Sequence, residues 1–158
     1  MLKLTKLKDS NKLPELCKGQ FQVESRLSET DRVLSWFEEL CKELPKTFRL
    51  QCELALAEGF TNTIRYAHRE LPQGTPIDIE VRILPERIEI RIWDFGSPFD
   101  LKGWLQEQPP QADIYAGGGR GIKLMHAIAD KLSYTRTADD RNCLLIVKNY
   151  DPNSTEEG

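Results

Sequence analysis

The feature that most constrains this 158-residue chain is a strict alternation of apolar and polar residues across positions 77–93. Aliphatic residues occupy every second position in two segments: Ile77, Ile79, Val81 and Ile83, then Ile88, Ile90 and Ile92. A period of two predicts β-strands that bury one face and leave the other polar. Residues 84–87 form a turn between the segments, so the two strands are predicted to make an antiparallel hairpin.

Weaker patterns predict the remaining elements. Shorter alternations predict strands at about residues 20–27, 133–138 and 143–150, and apolar stripes at helical spacing predict three helices. The stripes are Val33, Trp36, Phe37, Leu40 and Leu44; then Leu50, Leu54, Ala57, Thr61 and Ile64 within residues 47–68; then Ile122, Met125, Ile128, Ala129 and Leu132 in a helix beginning near Gly121. We expect an α+β fold, a two-layer α/β sandwich whose mixed, mostly antiparallel sheet is covered on one face by three helices.

Length and composition predict one domain at residues 19–150. Residues 1–18, with five lysines, are predicted to be a basic N-terminal arm, and residues 151–158 an acidic flexible tail. A net charge of −3 gives no sign of direct nucleic-acid binding, and no apolar run is long enough to cross a membrane. The four cysteines lack metal-ligand spacing, which favours free thiols in a reducing cytoplasm.

Two polar features interrupt this apolar framework. Glu58 and Asn62 lie one turn apart on the second helix, in a row with Arg65 that borders its apolar stripe. Asp94 directly follows the second strand of the hairpin, and Gly96 opens the next loop, where a glycine lets a flat ligand approach the backbone. The alternatives are an exposed helix face for the first feature and an ordinary turn for the second.

A third feature is a glycine-rich segment before the last helix. Gly117, Gly118, Gly119 and Gly121 lead into the helix, where free backbone N–H groups and the helix dipole suit a phosphate chain. The nucleotide-binding P-loop is excluded because Lys123 is not followed by Ser or Thr in the required frame. A Rossmann site is excluded because no parallel βαβ unit surrounds the segment. The pattern also predicts that residues 96–120 form one long loop, either functional or disordered.

The order and spacing of these three features resemble the Bergerat ATP-binding fold. This fold is shared by gyrase, the ninety-kilodalton heat-shock chaperones, histidine kinases and mismatch-repair ATPases, and the resemblance covers about residues 21–150. Within that superfamily the chain is most similar to the anti-sigma-factor serine/threonine kinases. Their Glu-x-x-x-Asn helix resembles residues 58–62, their Asp-x-Gly-x-x-Phe-Asp motif resembles residues 94–100, and their glycine-rich loop resembles residues 117–125.

The resemblance implies an ATP-dependent kinase that uses magnesium, with the loop at residues 96–120 as its lid. By this resemblance, Asn62 would bind magnesium and Glu58 would act as the general base. Asp94 would accept a hydrogen bond from the adenine amino group, and Gly96 would leave room for the adenine ring. The phosphates would be contacted by the loop of Gly117, Gly119 and Gly121, and their charge would be stabilised by Arg120 or Arg65. The resemblance also implies a small anti-anti-sigma protein of the STAS type as substrate, a sigma factor as a second partner, and a homodimer.

The chain departs from the family at two positions. Many relatives have a Gly-Thr pair at the start of the last strand, where this chain has Arg141-Asn142-Cys143, and often Ala where it has Gly59. Alternative interpretations are a module of the same fold that sequesters a partner without catalysis, a detached histidine-kinase domain, and a chance occurrence of the three motifs. The second alternative needs a phosphorylatable histidine helix, whereas His68 and His126 both lie in the motif-bearing helices.

Overall fold

A computed structural model describes residues 15–108 and 119–151 of the chain. Its strands are β1 (Cys17–Glu24), β2 (Pro76–Ile83), β3 (Arg87–Asp94), β4 (Lys131–Arg136) and β5 (Asn142–Asn149). Its helices are α1 (Thr30–Leu40), α2 (Lys46–Asn62), α3 (Leu101–Gln106) and α4 (Arg120–Ile128). A 3-10 turn at Leu27–Glu29 precedes α1, and a π-helical turn at Thr63–Ala67 continues α2.

The five strands form one sheet in the order β1-β2-β3-β5-β4. Each of the four neighbouring pairs is antiparallel, so among the described strands the sheet is antiparallel throughout. One set of alternate strand residues packs with the helices in a single core, which confirms the two-layer α+β sandwich. In the part of the chain that the structure describes, no helix has the length and apolar character needed to cross a membrane.

The β2–β3 hairpin is confirmed, and its alternation determines where the site lies. Ile88, Ile90 and Ile92 are at most 1% exposed and face the helices. Asp94 is the next residue on that same face, so the strand carries a carboxylate to the helix side of the sheet at its carboxyl end. Trp93 points to the opposite face, where the Arg141 guanidinium lies 5.7 Å from its ring centroid.

The predicted packing face of the second helix is wrong. Leu50 and Leu54 are 48% and 43% exposed. The buried residues of α2 are instead Cys52, Ala55, Leu56, Gly59 and Phe60. The helix carries two apolar stripes, and the buried one combines bulky side chains with small residues that let the backbone approach the sheet. A Cβ at position 59 would lie 2.8 Å from Ile92 Cδ1, so Gly59 lets the helix pack closely against β3.

Several predicted boundaries also differ from the structure. The last helix ends at Ile128, so Leu132, which was predicted to lie on its apolar stripe, belongs to β4. β1 spans residues 17–24 rather than 20–27, because its partner strand begins at Pro76, which pairs with Glu24. The second helix ends at Asn62 and continues only as a π-helical turn. The predicted long loop contains a fourth helix, α3, which the Asp100 carboxylate caps by accepting from the Gly103 backbone N–H at 3.0 Å.

Candidate functional site

A cavity of about 670 Å³ lies between the carboxyl end of β3 and the helices. This volume falls within the range of roughly 300–1,000 Å³ typical of small-molecule sites. Four predicted site residues line it: Asn62, Asp94, Gly96 and Gly119. Two smaller depressions, of about 460 and 390 Å³, lie elsewhere on the described surface and contain none of the predicted site residues. The structure therefore brings residues from all three sequence features to one cavity.

At one end of the cavity, the Asp94 carboxylate is buried and held by donors. Asp94 is 1% exposed. Its Oδ1 accepts from the Gly96 backbone N–H at 2.8 Å and from the Asn142 side-chain amide at 2.9 Å, and its Oδ2 accepts from the Tyr134 hydroxyl. Each of these three contacts comes from a donor, so the described residues hold the carboxylate as a hydrogen-bond acceptor.

Gly96 is required by the close approach of the π-helical turn that follows α2. A Cβ at position 96 would lie 2.6 Å from the carbonyl oxygen of Ala67, which is backbone and cannot move away easily. The Gly96 carbonyl accepts from Asn142 at 3.0 Å and from Arg136 at 2.9 Å. The turn after β3 is therefore fixed on both sides.

Sequence reasoning missed the residues that hold Asp94, namely Asn142, Tyr134 and Arg136. Strand register brings them together, because Asn142 pairs with Asp94 across β3–β5 and with Arg136 across β4–β5. One signal was present in the sequence. Asn142 alternates with Leu144 and Ile146, so the pattern assigns an amide to the buried face of the strand.

Burial changes the protonation of two side chains around Asp94. Burial, and next its hydrogen bond to Asp94, raise the pKa of the Tyr134 hydroxyl, so it remains a neutral donor. Burial lowers the pKa of His68, while the charge of Asp94 acts in the opposite direction. His68 Nε2 accepts from the Phe95 backbone N–H at 2.9 Å, so its proton lies on Nδ1, 3.2 Å from the Ser25 hydroxyl. His68 is therefore a neutral residue that supports the segment after β3.

At the other end of the cavity, the start of α4 approaches α2 and α3. Gly119 precedes α4 with a φ of 80°, and a Cβ there would lie 2.2 Å from Trp104 Cζ2 of α3. A Cβ at Gly121 would lie 2.8 Å from Glu58 Oε2. The absence of side chains at these two positions lets Trp104 and the Glu58 carboxylate lie against the first turn of α4.

The remaining predicted residues lie outside the lining of the cavity. Glu58 is half-buried on α2, one turn before Asn62, and Gly121 lies beside it. Arg120 and Arg65 are exposed, at the first residue of α4 and in the π-helical turn after α2. Gly117 and Gly118 lie outside the described residues. The structure thus brings Glu58 to the start of α4, whereas it leaves both arginines on the surface.

Comparison with known sequences then identifies the family. The family model described as "Histidine kinase-like ATPase domain" matches residues 23–148, which is most of the chain. This chain belongs to the histidine kinase-like ATPase domain family. The matched range begins in β1, ends in β5 and contains every residue that lines the cavity.

Proteins similar to this chain carry a more specific name. Serine-protein kinase RsbW of Listeria innocua serovar 6a is 29% identical over 112 residues, covering 66% of this chain and 68% of the relative. RsbW of Bacillus licheniformis is 25% identical over 85 residues, covering 51% and 53%. RsbW of Staphylococcus aureus MRSA252 is 28% identical over 86 residues, covering 51% and 54%. This member of the ATPase family is therefore similar to serine-protein kinases.

The donor set fits a magnesium ion held mainly by phosphates. No group of three or more His, Cys, Asp or Glu side chains within residues 15–108 and 119–151 forms a metal cage. Magnesium in nucleotide enzymes commonly takes one or two protein oxygens and completes its shell with phosphates and water. The Asn62 side-chain amide lines the cavity and carries one oxygen of this kind. The site therefore fits a metal that arrives with a nucleotide.

Proposed function

We propose that this chain is an ATP-dependent serine/threonine-protein kinase that acts as an anti-sigma factor in a partner-switching system. The observation that carries the proposal is the single cavity lined by Asp94 and Gly96 at one end and by Asn62 and Gly119 at the other. Membership of the ATPase family and similarity to serine-protein kinases support the same activity.

The strand end of the cavity is the proposed site for the adenine base. Asp94 presents an acceptor for the amino group of adenine, and Gly96, which lines the cavity beside it, is the proposed position for the adenine ring. The start of α4 is the proposed site for the phosphates, because the first N–H groups of a helix have no partner within the helix. Gly119 and Gly121 present this backbone, and the exposed guanidinium of Arg120 adds positive charge.

The proposed chemistry is transfer of the terminal phosphoryl group to a hydroxyl. Asn62 would hold magnesium, which neutralises charge on the phosphates during transfer. Glu58 would accept the proton of the attacking hydroxyl while the new O–P bond forms and the bond to the departing diphosphate breaks. Glu58 suits this role because its carboxylate lies beside Gly121 and one turn from Asn62.

The proposed partners follow from the resemblance to anti-sigma kinases. The hydroxyl would belong to a small anti-anti-sigma protein of the STAS type. In the cytoplasm, a sigma factor would compete with that protein for binding to this chain. The homodimer remains part of this proposal. Sequestering a partner without catalysis is the competing outcome, and the Arg141-Asn142-Cys143 departure is the sequence feature that favours it. At this position Asn142 donates to Asp94.

Calorimetric titration with ATP tests the nucleotide site directly. We expect the wild type to bind ATP more tightly with magnesium than without it. We expect Asp94→Asn to lose most of the affinity, because an amide NH₂ facing the base offers no acceptor, and Asn62→Ala to lose the magnesium dependence. Absence of heat and of any thermal shift with ATP in the wild type would exclude the kinase function.

Transfer of labelled phosphate from γ-labelled ATP to purified STAS-type proteins of the same genome tests the chemistry. Removing a general base costs about 10²- to 10⁴-fold in rate, so we expect Glu58→Gln to reduce transfer by that factor without weakening ATP binding. Glu86→Gln, in the exposed turn between β2 and β3, is the matched control and should transfer normally. ATP binding without any transfer by the wild type would favour the sequestering module.

A further inference from the structure

The two oxygens of the buried Asp94 carboxylate have different surroundings. Oδ1 accepts two hydrogen bonds, from the Gly96 backbone N–H at 2.8 Å and from the Asn142 amide at 2.9 Å. Within the described residues, Oδ2 accepts from the Tyr134 hydroxyl alone. Because a carboxylate oxygen has two lone pairs, Oδ1 is fully used and Oδ2 keeps one acceptor position.

The orientation of the Asn142 amide is fixed by chemistry. Its Oδ1 accepts from Arg136 Nη1 at 3.3 Å, and a guanidinium can only donate. The NH₂ group must then face the other way, where it meets the Asp94 carboxylate, the Gly96 carbonyl at 3.0 Å and the Ser97 carbonyl at 3.2 Å. Asn142 is 1% exposed and does not line the cavity, so it acts on a ligand only through Asp94 and this turn.

Tyr134 differs from Asn142 because it lines the cavity together with Asp94. Its hydroxyl donates its only proton to Asp94 Oδ2, and its ring stands edge-on to Phe99 with 6.4 Å between centroids. The hydroxyl therefore limits the directions from which a ligand group can reach Oδ2. Together with the Gly96 N–H, Asn142 occupies both acceptor positions of Asp94 Oδ1, and Tyr134 occupies one of the two on Oδ2.

We propose that Asn142 and Tyr134 are the specificity-determining positioning residues of the base subsite: they hold Asp94 so that one acceptor position on Oδ2 meets a purine carrying an amino group at carbon 6. The inference rests on the nucleotide site proposed above. A 6-amino group donates to this position. A purine without the amino group leaves the buried acceptor of Asp94 unpaired. A 6-oxo group places its own acceptor oxygen opposite Asp94 Oδ2, so that no hydrogen bond forms between them.

The test compares ATP with purine riboside triphosphate, which differs only by lacking the 6-amino group. Hydrogen bonds to a charged partner correspond to roughly 10- to 150-fold in affinity, so we expect the wild type to prefer ATP by at least about tenfold. In Tyr134→Phe and Asn142→Leu, the preference should fall by about fivefold or more. The change should come from weaker ATP binding at nearly constant affinity for the analogue.

Two further variants separate positioning from folding. Asn142→Thr replaces the amide donor with a hydroxyl donor on a residue suited to a strand. We expect this variant to retain part of the preference, which keeps the test decisive where Asn142→Leu is poorly folded. Asn149→Leu, at the exposed other end of β5, is the matched control and should leave the preference unchanged. Magnesium dependence is measured in parallel, because it reports the phosphate end alone.

The outcomes separate the two proposals. A wild type that binds both triphosphates equally would overturn the specificity inference and leave the nucleotide site standing. Variants that weaken both ligands in parallel, or neither, would show that Asn142 and Tyr134 are only structural. A wild type that binds neither triphosphate would overturn the proposed function and the inference with it.

Discussion

At the strand end of the cavity, Asp94 is buried and accepts hydrogen bonds from three groups, whereas at the helix end Glu58 and Asn62 are half-buried. Among residues 15–108 and 119–151, the side chains of Glu58 and Asn62 make no hydrogen bond to each other or to any other described residue. The strand end is thus assembled by the fold alone, and under the proposed function a ligand would supply the partners of Glu58 and Asn62 at the helix end.

This difference has a physical origin. A buried carboxylate needs partners wherever the protein folds, since leaving it unpaired is costly, so the sheet itself must supply them. Half-buried polar groups on a helix can form hydrogen bonds with water, so they do not need a partner within the protein. We therefore expect the strand end to contribute to stability and the helix end mainly to binding.

Substituting each end in turn tests this division, and the largest effect is expected at Asp94. Asp94→Ala leaves buried donors on Gly96, Asn142 and Tyr134 without an acceptor, which should lower the free energy of unfolding by about 2–4 kcal/mol. Asn62→Ala removes no such contact and should change it by less than about 0.5 kcal/mol. Urea unfolding followed by circular dichroism measures both. Equal losses from the two variants would break the comparison.

The next effect concerns how firmly the start of α4 is held. Gly119→Ala places a Cβ 2.2 Å from Trp104 Cζ2 at a φ of 80°, and the left-handed backbone alone costs about 1–2 kcal/mol. We expect a loss of stability of about that size, together with weaker ATP binding. Gly74→Ala is the matched control, because a Cβ there meets no atom within 4 Å. A stable, fully binding Gly119→Ala protein would show that the helix end tolerates rearrangement.

The smallest expected effect is a pH dependence of the free energy of unfolding, which arises from His68 at the strand end. Burial lowers the pKa of His68 below the unfolded value of about 6.5, so between the two values the unfolded chain binds more protons. Stability should then fall as pH decreases through that window, by less than about 1.4 kcal/mol per pH unit. Protonation would also remove the Nε2 acceptor for the Phe95 N–H.

Unfolding free energies between pH 5 and 8 measure this dependence. The chain contains only two histidines, so His126→Gln is a natural control, and His126 is exposed on α4. We expect the wild type and His126→Gln to share one slope and His68→Gln to be flatter below pH 6.5. Identical slopes for all three proteins would mean that His68 does not couple protonation to folding.

Much of the fold followed from local patterns. The hairpin of β2 and β3, the later strands and the fold class were predicted because alternation and helical spacing are properties of neighbouring residues. The α3 helix was missed because it is only six residues long and lies among prolines and glycines. The exposed position of Leu50 and Leu54 was missed because α2 carries two apolar stripes, and only the sheet selects between them.

The sequence by itself determined the strand alternation, the position of Asp94 at a strand end and the spacing of Glu58 and Asn62. These features are encoded within short segments, which is why they also revealed the family resemblance. Only the tertiary structure decided that Asn142, Tyr134 and Arg136 surround Asp94 and Gly96. These residues are about 40 to 48 positions apart along the chain from their partners, and strand register, which joins distant segments, brings them into contact.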